Sequence, residues 1–221
     1  MQKMSEQELQ ELASQLSHPK GENGITTAKS MNFTNDNMIR KTIGCIDFRD
    51  QQHILEIGPG NGLHLSYLFE KNHSINYTGI DISELMVREA NGINQQWIHS
   101  GRAAFELTNG EDIEKPAAVF DVVFTVNTLY FWKNPTAFLK EIYRILKNNS
   151  SFVMAFIPKN TMEKIPFTKY GFELYHNDEV CDLLQKNDFV IDGVFSFDEE
   201  VKSNSGATVN RTFTIIKAFK Q

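Results

Sequence analysis

Three glycines, Gly58, Gly60 and Gly62, follow the apolar run 53–57, and an aspartate, Asp81, follows a second apolar run 19 residues after Gly62. Glycine in a strand-to-helix turn lets backbone N–H groups approach a ligand with no side chain between, and it tolerates positive φ. An acidic side chain at that distance can accept hydrogen bonds from both hydroxyls of a ribose. Such a pair supports the binding of a nucleoside-containing cofactor. Read without a ligand, the glycines make a tight turn and Asp81 places a negative charge at a helix N-terminus beside Ser83.

The elements that must position these residues follow from hydrophobic periodicity. Ser5 and Glu8 form a capping box, and Leu9, Leu12, Ala13 and Leu16 share one helical face, so a first helix ends at His18-Pro19-Lys20-Gly21. A second helix is expected from near Asn35, with Met38, Ile39, Thr42, Ile43 and Ile46 on one side. From 53 onward strands and helices alternate. Strands are expected at 53–57, 77–80, 96–99, 120–126 and 151–157, and helices after Gly62, after Ser83 until Gly92, and after Asn134-Pro135. A further helix is expected at 178–187. The runs 189–197 and 208–219 have no helix between them and predict an antiparallel hairpin. The fold class is α/β, doubly wound: a mostly parallel seven-stranded sheet with an antiparallel edge hairpin, helices on both faces and an N-terminal helical extension.

The dinucleotide fingerprint G-x-G-x-x-G requires a third glycine where this chain has Leu63. The run Ile54-Leu55-Glu56-Ile57-Gly58-Pro59-Gly60-Asn61-Gly62 instead resembles the first motif of the class I S-adenosylmethionine-dependent methyltransferases. Residues 77–83 resemble the family's second motif, 120–123 with 127–132 its fourth strand and following loop, and 138–147 the helix before strand five. The resemblance covers 53–157. It implies that S-adenosylmethionine is the cofactor and that Glu56, with the backbone of Gly58, Pro59 and Gly60, meets its amino-acid end, where a carboxylate pairs with an ammonium. It further implies that Asp81 holds the ribose, that Ile82 packs on the adenine and that Asn127 lies near the methionine part. The family often has Gly-Asp-Ala after its third strand, the aspartate meeting the adenine amino group. Gly101-Arg102-Ala103 stands there here, placing Arg102 and Ala103 at the adenine although arginine has no acceptor.

Methyl transfer from a sulfonium is a displacement that needs the nucleophile held in line at about 3 Å. His64, His99 and His176 are candidate bases by type, and Tyr130, Phe131 and Trp132 could place a ring face by the sulfonium. Of these, Tyr130 and His176 are the candidate catalytic residues; each also reads as a packing or surface residue. Asn127-Thr128-Leu129-Tyr130 lacks the two prolines of the motif of amino-directed relatives and assigns no nitrogen acceptor. Asn127 and Pro158-Lys159-Asn160 stand where a metal-assisted type would have acids, so no metal is expected. The segments 18–37 (Met31, Asn32, Phe33, Asn37) and 158–176 (Ile165, Pro166, Phe167, Tyr170, Phe172, Tyr175) are expected to cover a small-molecule acceptor. An NAD(P)-type oxidoreductase and a non-catalytic cofactor-binding module are the alternatives.

The 221 residues carry a net charge of −6, with six prolines that are never clustered and two distant cysteines, Cys45 and Cys181. One domain over 1–221 is expected: 1–50 a helical cap, 53–157 the cofactor-binding core, 158–176 a lid, 177–221 the last helix and edge strands. A disulfide framework or thiolate metal site is not expected. Neither a membrane span nor a signal peptide is legible, which points to the cytoplasm. The acidity is concentrated: Glu173 to Glu200 holds nine acids against Lys186, and the rest of the chain is slightly basic. That stretch is expected to be a solvated face. No basic cluster accompanies the expected acceptor segments, so nucleic acid is not the expected partner.

Overall fold

Burial on both faces decides where the strands run. In the computed structural model, which describes residues 4–202 and 208–221, β1 (His53–Ile57) and β4 (Phe120–Val126) are adjacent and parallel at the sheet centre, with Ile54, Leu55, Val123 and Phe124 inaccessible to solvent. The remaining strands are β2 (Asn76–Asp81), β3 (Ala103–Leu107), β5 (Leu146–Phe156), β6 (Phe189–Lys202) and β7 (Thr208–Lys220). The sheet order is β3-β2-β1-β4-β5-β7-β6, parallel except for β7, which runs antiparallel to both β5 and β6. The order reverses between β1 and β4, and in doubly wound sheets the ligand crevice lies beyond the strand ends at that reversal. The expected architecture is therefore the observed one.

Helices cover the sheet because their caps and apolar stripes permit nothing else. In α4 (Glu84–Ile93) the Ser83 hydroxyl accepts from Met86 N at 3.2 Å, and it donates to the Pro19 carbonyl at 2.6 Å. That second bond ties the turn between α1 (Glu6–Ser17) and α2 (Gly21–Gly44) to the sheet edge of the crevice. In α6 (Pro135–Ile145) Asn134 caps Ala137 N at 3.0 Å and Phe138, Leu139, Ile142 and Ile145 are buried. Helix α3 (Leu65–Lys71) precedes α4 and α5 (Gln95–His99) follows it; α7 (Lys159–Met162) and α8 (Asn177–Gln185) follow β5. No helix among the described residues is long and apolar enough to cross a membrane.

Three local expectations are corrected. The second helix starts at Gly21, not near Asn35, because its N-terminal half gains tertiary partners: Ala28 is buried in a small cluster with Leu85 and Met86. Residues 96–99 are helical and not a strand: Trp97 stacks on Phe69 at 4.3 Å between ring centroids, which a short helix allows, and the strand comes after them at Ala103. Gly92 lies inside α4, which ends one residue later at Ile93. There the Asn94 side chain bonds the carbonyls of Ala90 and Gly62.

Candidate active site

The glycine turn leaves β1 at Ile57 and feeds α3. Gly58 has φ +73°, and a Cβ there would come within 2.4 Å of Thr128 Cγ2, so only glycine lets β1 and the loop after β4 close together. Thr125 fixes that closeness by donating to the Ile57 carbonyl at 2.8 Å and sharing a 2.6 Å bond with Thr128, whose oxygen also accepts from Trp132 Nε1. The turn is held from the other side by Asp81. One carboxylate oxygen accepts from Gly60 N at 3.0 Å and the other from Ser83 N at 2.9 Å. Burial pushes the Asp81 carboxyl up to about 6 despite these backbone donors.

Beside the turn lies a buried polar cluster. Glu56, 2% exposed, accepts from Tyr77 Oη at 2.5 Å and lies 2.8 Å from His64 Nε2. Burial pushes the His64 imidazole down, and the Glu56 carboxylate beside it more than reverses this, leaving it above its ordinary value. Burial and the same carboxylate push the Tyr77 phenol up.

Glu56, His64 and Asp81 line a narrow slot of 220 Å³. Of the expected cofactor residues, Glu56, Gly58, Pro59, Gly60, Asp81, Ile82 and Asn127 all lie on its wall. Arg102 and Ala103 do not. They stand at the start of β3, the end away from the crevice, because the strand lies after them and not before. The Arg102 guanidinium donates to the His73 carbonyl and covers the rings of Phe69 and Trp97 at 4.8 and 4.9 Å. What lines the slot beyond β3 is Thr108, Asn109 and Gly110, which the sequence reading missed. The sequence does carry a signal for them: the mainly apolar run 103–107 is broken by the Asn109-Gly110 turn pair. His64, expected as a surface or packing group, is buried against Glu56, a partner eight positions away and outside any local pattern.

The slot adjoins a larger cavity of 1130 Å³, walled by α1, α2, the segment after β5 and the hairpin β6–β7. Both expected acceptor segments contribute, in part. Met31 lines both cavities and Asn32 the slot, but Phe33 is turned to solvent and Asn37 instead donates to Glu199 at 2.6 Å. Ile165, Pro166, Phe167 and Phe172 line the large cavity, whereas Tyr170 and Tyr175 do not. Phe172 packs against Phe131 at 4.7 Å and Tyr130 at 5.7 Å.

The two candidate catalytic residues fare differently. Tyr130 lies on the cavity wall, but its hydroxyl accepts from Ile157 N at 2.6 Å and donates to Asn127 Oδ1 at 3.1 Å, and burial pushes its pKa up. It fixes Asn127 and is unsuited to be a base. His176 is outside both cavities, at the N-terminus of α8, where its backbone N–H donates to Glu179. Asn127 itself adopts φ +58°, a conformation asparagine tolerates better than most residues, and its amide reaches Asn35 Oδ1 at 3.3 Å.

The acidic stretch is not all solvated. Glu199 forms a nearly buried ion pair with Arg211 at 2.6 Å, and Arg211 also donates to the Thr34 carbonyl at 2.5 Å and Asn35 Oδ1 at 3.4 Å. This pair sits in the wall of the large cavity. Among the described residues no group of three or more His, Cys, Asp or Glu side chains is arranged to hold a metal ion.

Comparison with known proteins gives a consistent picture. Residues 55–154 match the family model described as a methyltransferase domain. The O-methyltransferase resE of Aspergillus sclerotiorum is 23% identical over 130 residues, 59% of this chain and 49% of that protein. YrhH, a candidate methyltransferase of Bacillus subtilis, is 32% identical over 124 residues, 55% of this chain and 66% of its own length. The chain thus spans about half to two thirds of these relatives. Among solved structures, a SAM-dependent methyltransferase of Aquifex aeolicus superposes with a TM-score of 0.64 at 19% identity, covering 91% of this chain and all of that one, a likeness of fold.

Proposed function

We propose, from the premise that this chain belongs to the class I S-adenosylmethionine-dependent methyltransferase family through residues 55–154, that it transfers a methyl group from S-adenosylmethionine to a small-molecule acceptor by direct displacement. The observation that carries the reading is the adjoining of the two cavities. The slot has the chemistry of the cofactor, and its Asn127 end meets a chamber roomy enough for a second molecule.

The residues present fit the cofactor. The Asp81 carboxylate, already accepting two backbone N–H bonds, has lone pairs left for ribose hydroxyls. Ile82 and the 108–110 turn suit the two sides of an adenine. Glu56 offers a carboxylate to an ammonium, and the His64 and Tyr77 donors hold it in place. The bound cofactor supplies a methyl group on a cationic sulfur. This chain's part is to keep both reactants in line and to exclude water: Tyr130 holds Asn127, and Phe131, shared by both cavities, is packed by Phe172. The name of the resE relative supports an oxygen acceptor, and the acceptor reading rests on the large cavity.

Calorimetry with S-adenosylhomocysteine and, separately, NADH tests the cofactor. The proposal expects binding of the first only. NADH binding without S-adenosylhomocysteine binding would replace it with the oxidoreductase reading.

A further inference from the structure

The two cavities meet at five side chains, Leu16, Met31, Asn35, Asn127 and Phe131, and none of the five titrates. Among the described residues, the titratable groups nearest them are committed elsewhere. Glu56 is bound to His64 and Tyr77, Asp81 to two backbone N–H groups, Glu199 to Arg211 and Asn37, and the Tyr130 hydroxyl to Ile157 and Asn127. Lys164, Asp198, Glu200 and Lys202, on the wall of the large cavity, are exposed. The stretch 203–207 reads Ser-Asn-Ser-Gly-Ala and carries no titratable side chain.

The polar groups at the junction are also oriented. Arginine can only donate, so the Arg211 contact fixes the Asn35 oxygen toward it, and that oxygen also accepts from Asn127 Nδ2. The Asn127 oxygen is taken by Tyr130. What Asn35 has left for a ligand is its N–H donors. A donor without a base beside it suits an oxygen that already carries negative charge; a neutral alcohol would have nowhere to send its proton.

Resting on the methyltransferase reading, we propose that the large cavity takes a mostly apolar acceptor whose methyl-accepting oxygen ionises unaided, a carboxyl or a phenolic or enolic hydroxyl. The chamber is large enough for a sizeable body, above the roughly 300–1,000 Å³ usual for small ligands. Leu9, Leu12, Met162, Ile165, Phe167 and Phe172 give it an apolar lining. The proton leaves to water before reaction. The anionic oxygen then forms a bond to the methyl carbon as the carbon–sulfur bond breaks, and the electron pair goes to sulfur. Sulfonium and anion become a neutral ester or ether and a neutral thioether, and such cancellation of charge is favoured in apolar surroundings.

The test uses the full chain, S-adenosylmethionine with a labelled methyl group, and three probes: dodecanoic acid, 4-octylphenol and 1-dodecanol. Label should enter the acid, the phenol or both at least about 100-fold faster than the alcohol, the lower bound of what a general base contributes. For a phenol substrate the rising limb of kcat/KM against pH should move to lower pH when ring fluorination lowers the phenol's own pKa. For the acid, kcat/KM should show no rising limb at neutral pH. Comparable turnover of the alcohol, or a limb that stays put when the acceptor changes at S-adenosylmethionine kept saturating across the pH range, would reveal a protein base and overturn the proposal. So would S-adenosylhomocysteine binding without turnover of either acid or phenol, which leaves the cofactor reading standing. Absence of S-adenosylhomocysteine binding removes both.

Discussion

His64 Nε2 lies 2.8 Å from Glu56 Oε2 with both side chains nearly sealed from solvent, so the carboxylate next to the glycine turn is held by an imidazole from the start of α3. Removing one member of such a buried pair leaves the other uncompensated and typically costs about 3–5 kcal/mol. His64→Ala is therefore expected to lose stability on that scale in urea unfolding at pH 6. Because the folded-state pKa of His64 is raised, its contribution is complete below the unfolded value and fades as pH rises through the folded one. The gap in unfolding midpoint between wild type and His64→Ala should shrink from pH 6 to pH 9; a gap that widened would mean the pair is held by something other than charge.

Asp81 titrates at about 6 in the unliganded protein, and only its ionised form can accept from two hydroxyls. S-adenosylhomocysteine binding should then weaken as pH falls below 6, by up to about tenfold per unit, with one proton released on binding in that range. Asp81→Ala should weaken binding by about 1 kcal/mol or more at pH 7.5 and flatten the pH dependence. Isothermal calorimetry in two buffers of different ionisation enthalpy measures both.

The adenine end of the slot can be assigned by contrast. At Gly110, φ +74°, an added Cβ would stand 2.9 Å from Ile82 Cγ2, so Gly110→Ala should push Ile82 into the slot and weaken cofactor binding several-fold. Arg102→Ala should leave affinity within twofold, losing only about 1 kcal/mol of stability from its contacts with Phe69 and Trp97. The reverse pattern would return the adenine to the Arg102 side.

Phe172 braces Phe131, which walls both cavities. Phe172→Ala should raise the KM for the acceptor about 5- to 10-fold, on the scale of one lost aromatic contact, while cofactor affinity stays within twofold. Steady-state kinetics with the acceptor varied at saturating cofactor, paired with calorimetry, separates the two.

How much of this was legible depends on distance along the chain. The apolar runs at 53–57 and 120–126 and the caps Ser5, Ser83 and Asn134 specify their elements locally, and the structure has them. Gly58, Gly60 and Asp81 are legible because only α3 and β2, one helix–strand unit, separate them. The short apolar run at 96–99 was ambiguous between strand and helix, and packing of Trp97 on Phe69 decided it. That one difference moves the proposed adenine end from Arg102 and Ala103 to 108–110. The large cavity was least legible, since Arg211 meets Thr34 across 177 positions and nothing in either neighbourhood announces the other.

The α2 helix runs 24 residues, ~36 Å at 1.5 Å per residue, and within one turn of it Met31 and Asn35 each wall both cavities. On the methyltransferase reading, a ligand in either cavity would pack against the same turn. Coupling between the two is then reciprocal by necessity: by whatever factor S-adenosylhomocysteine changes the affinity for the acceptor, the acceptor changes the affinity for S-adenosylhomocysteine.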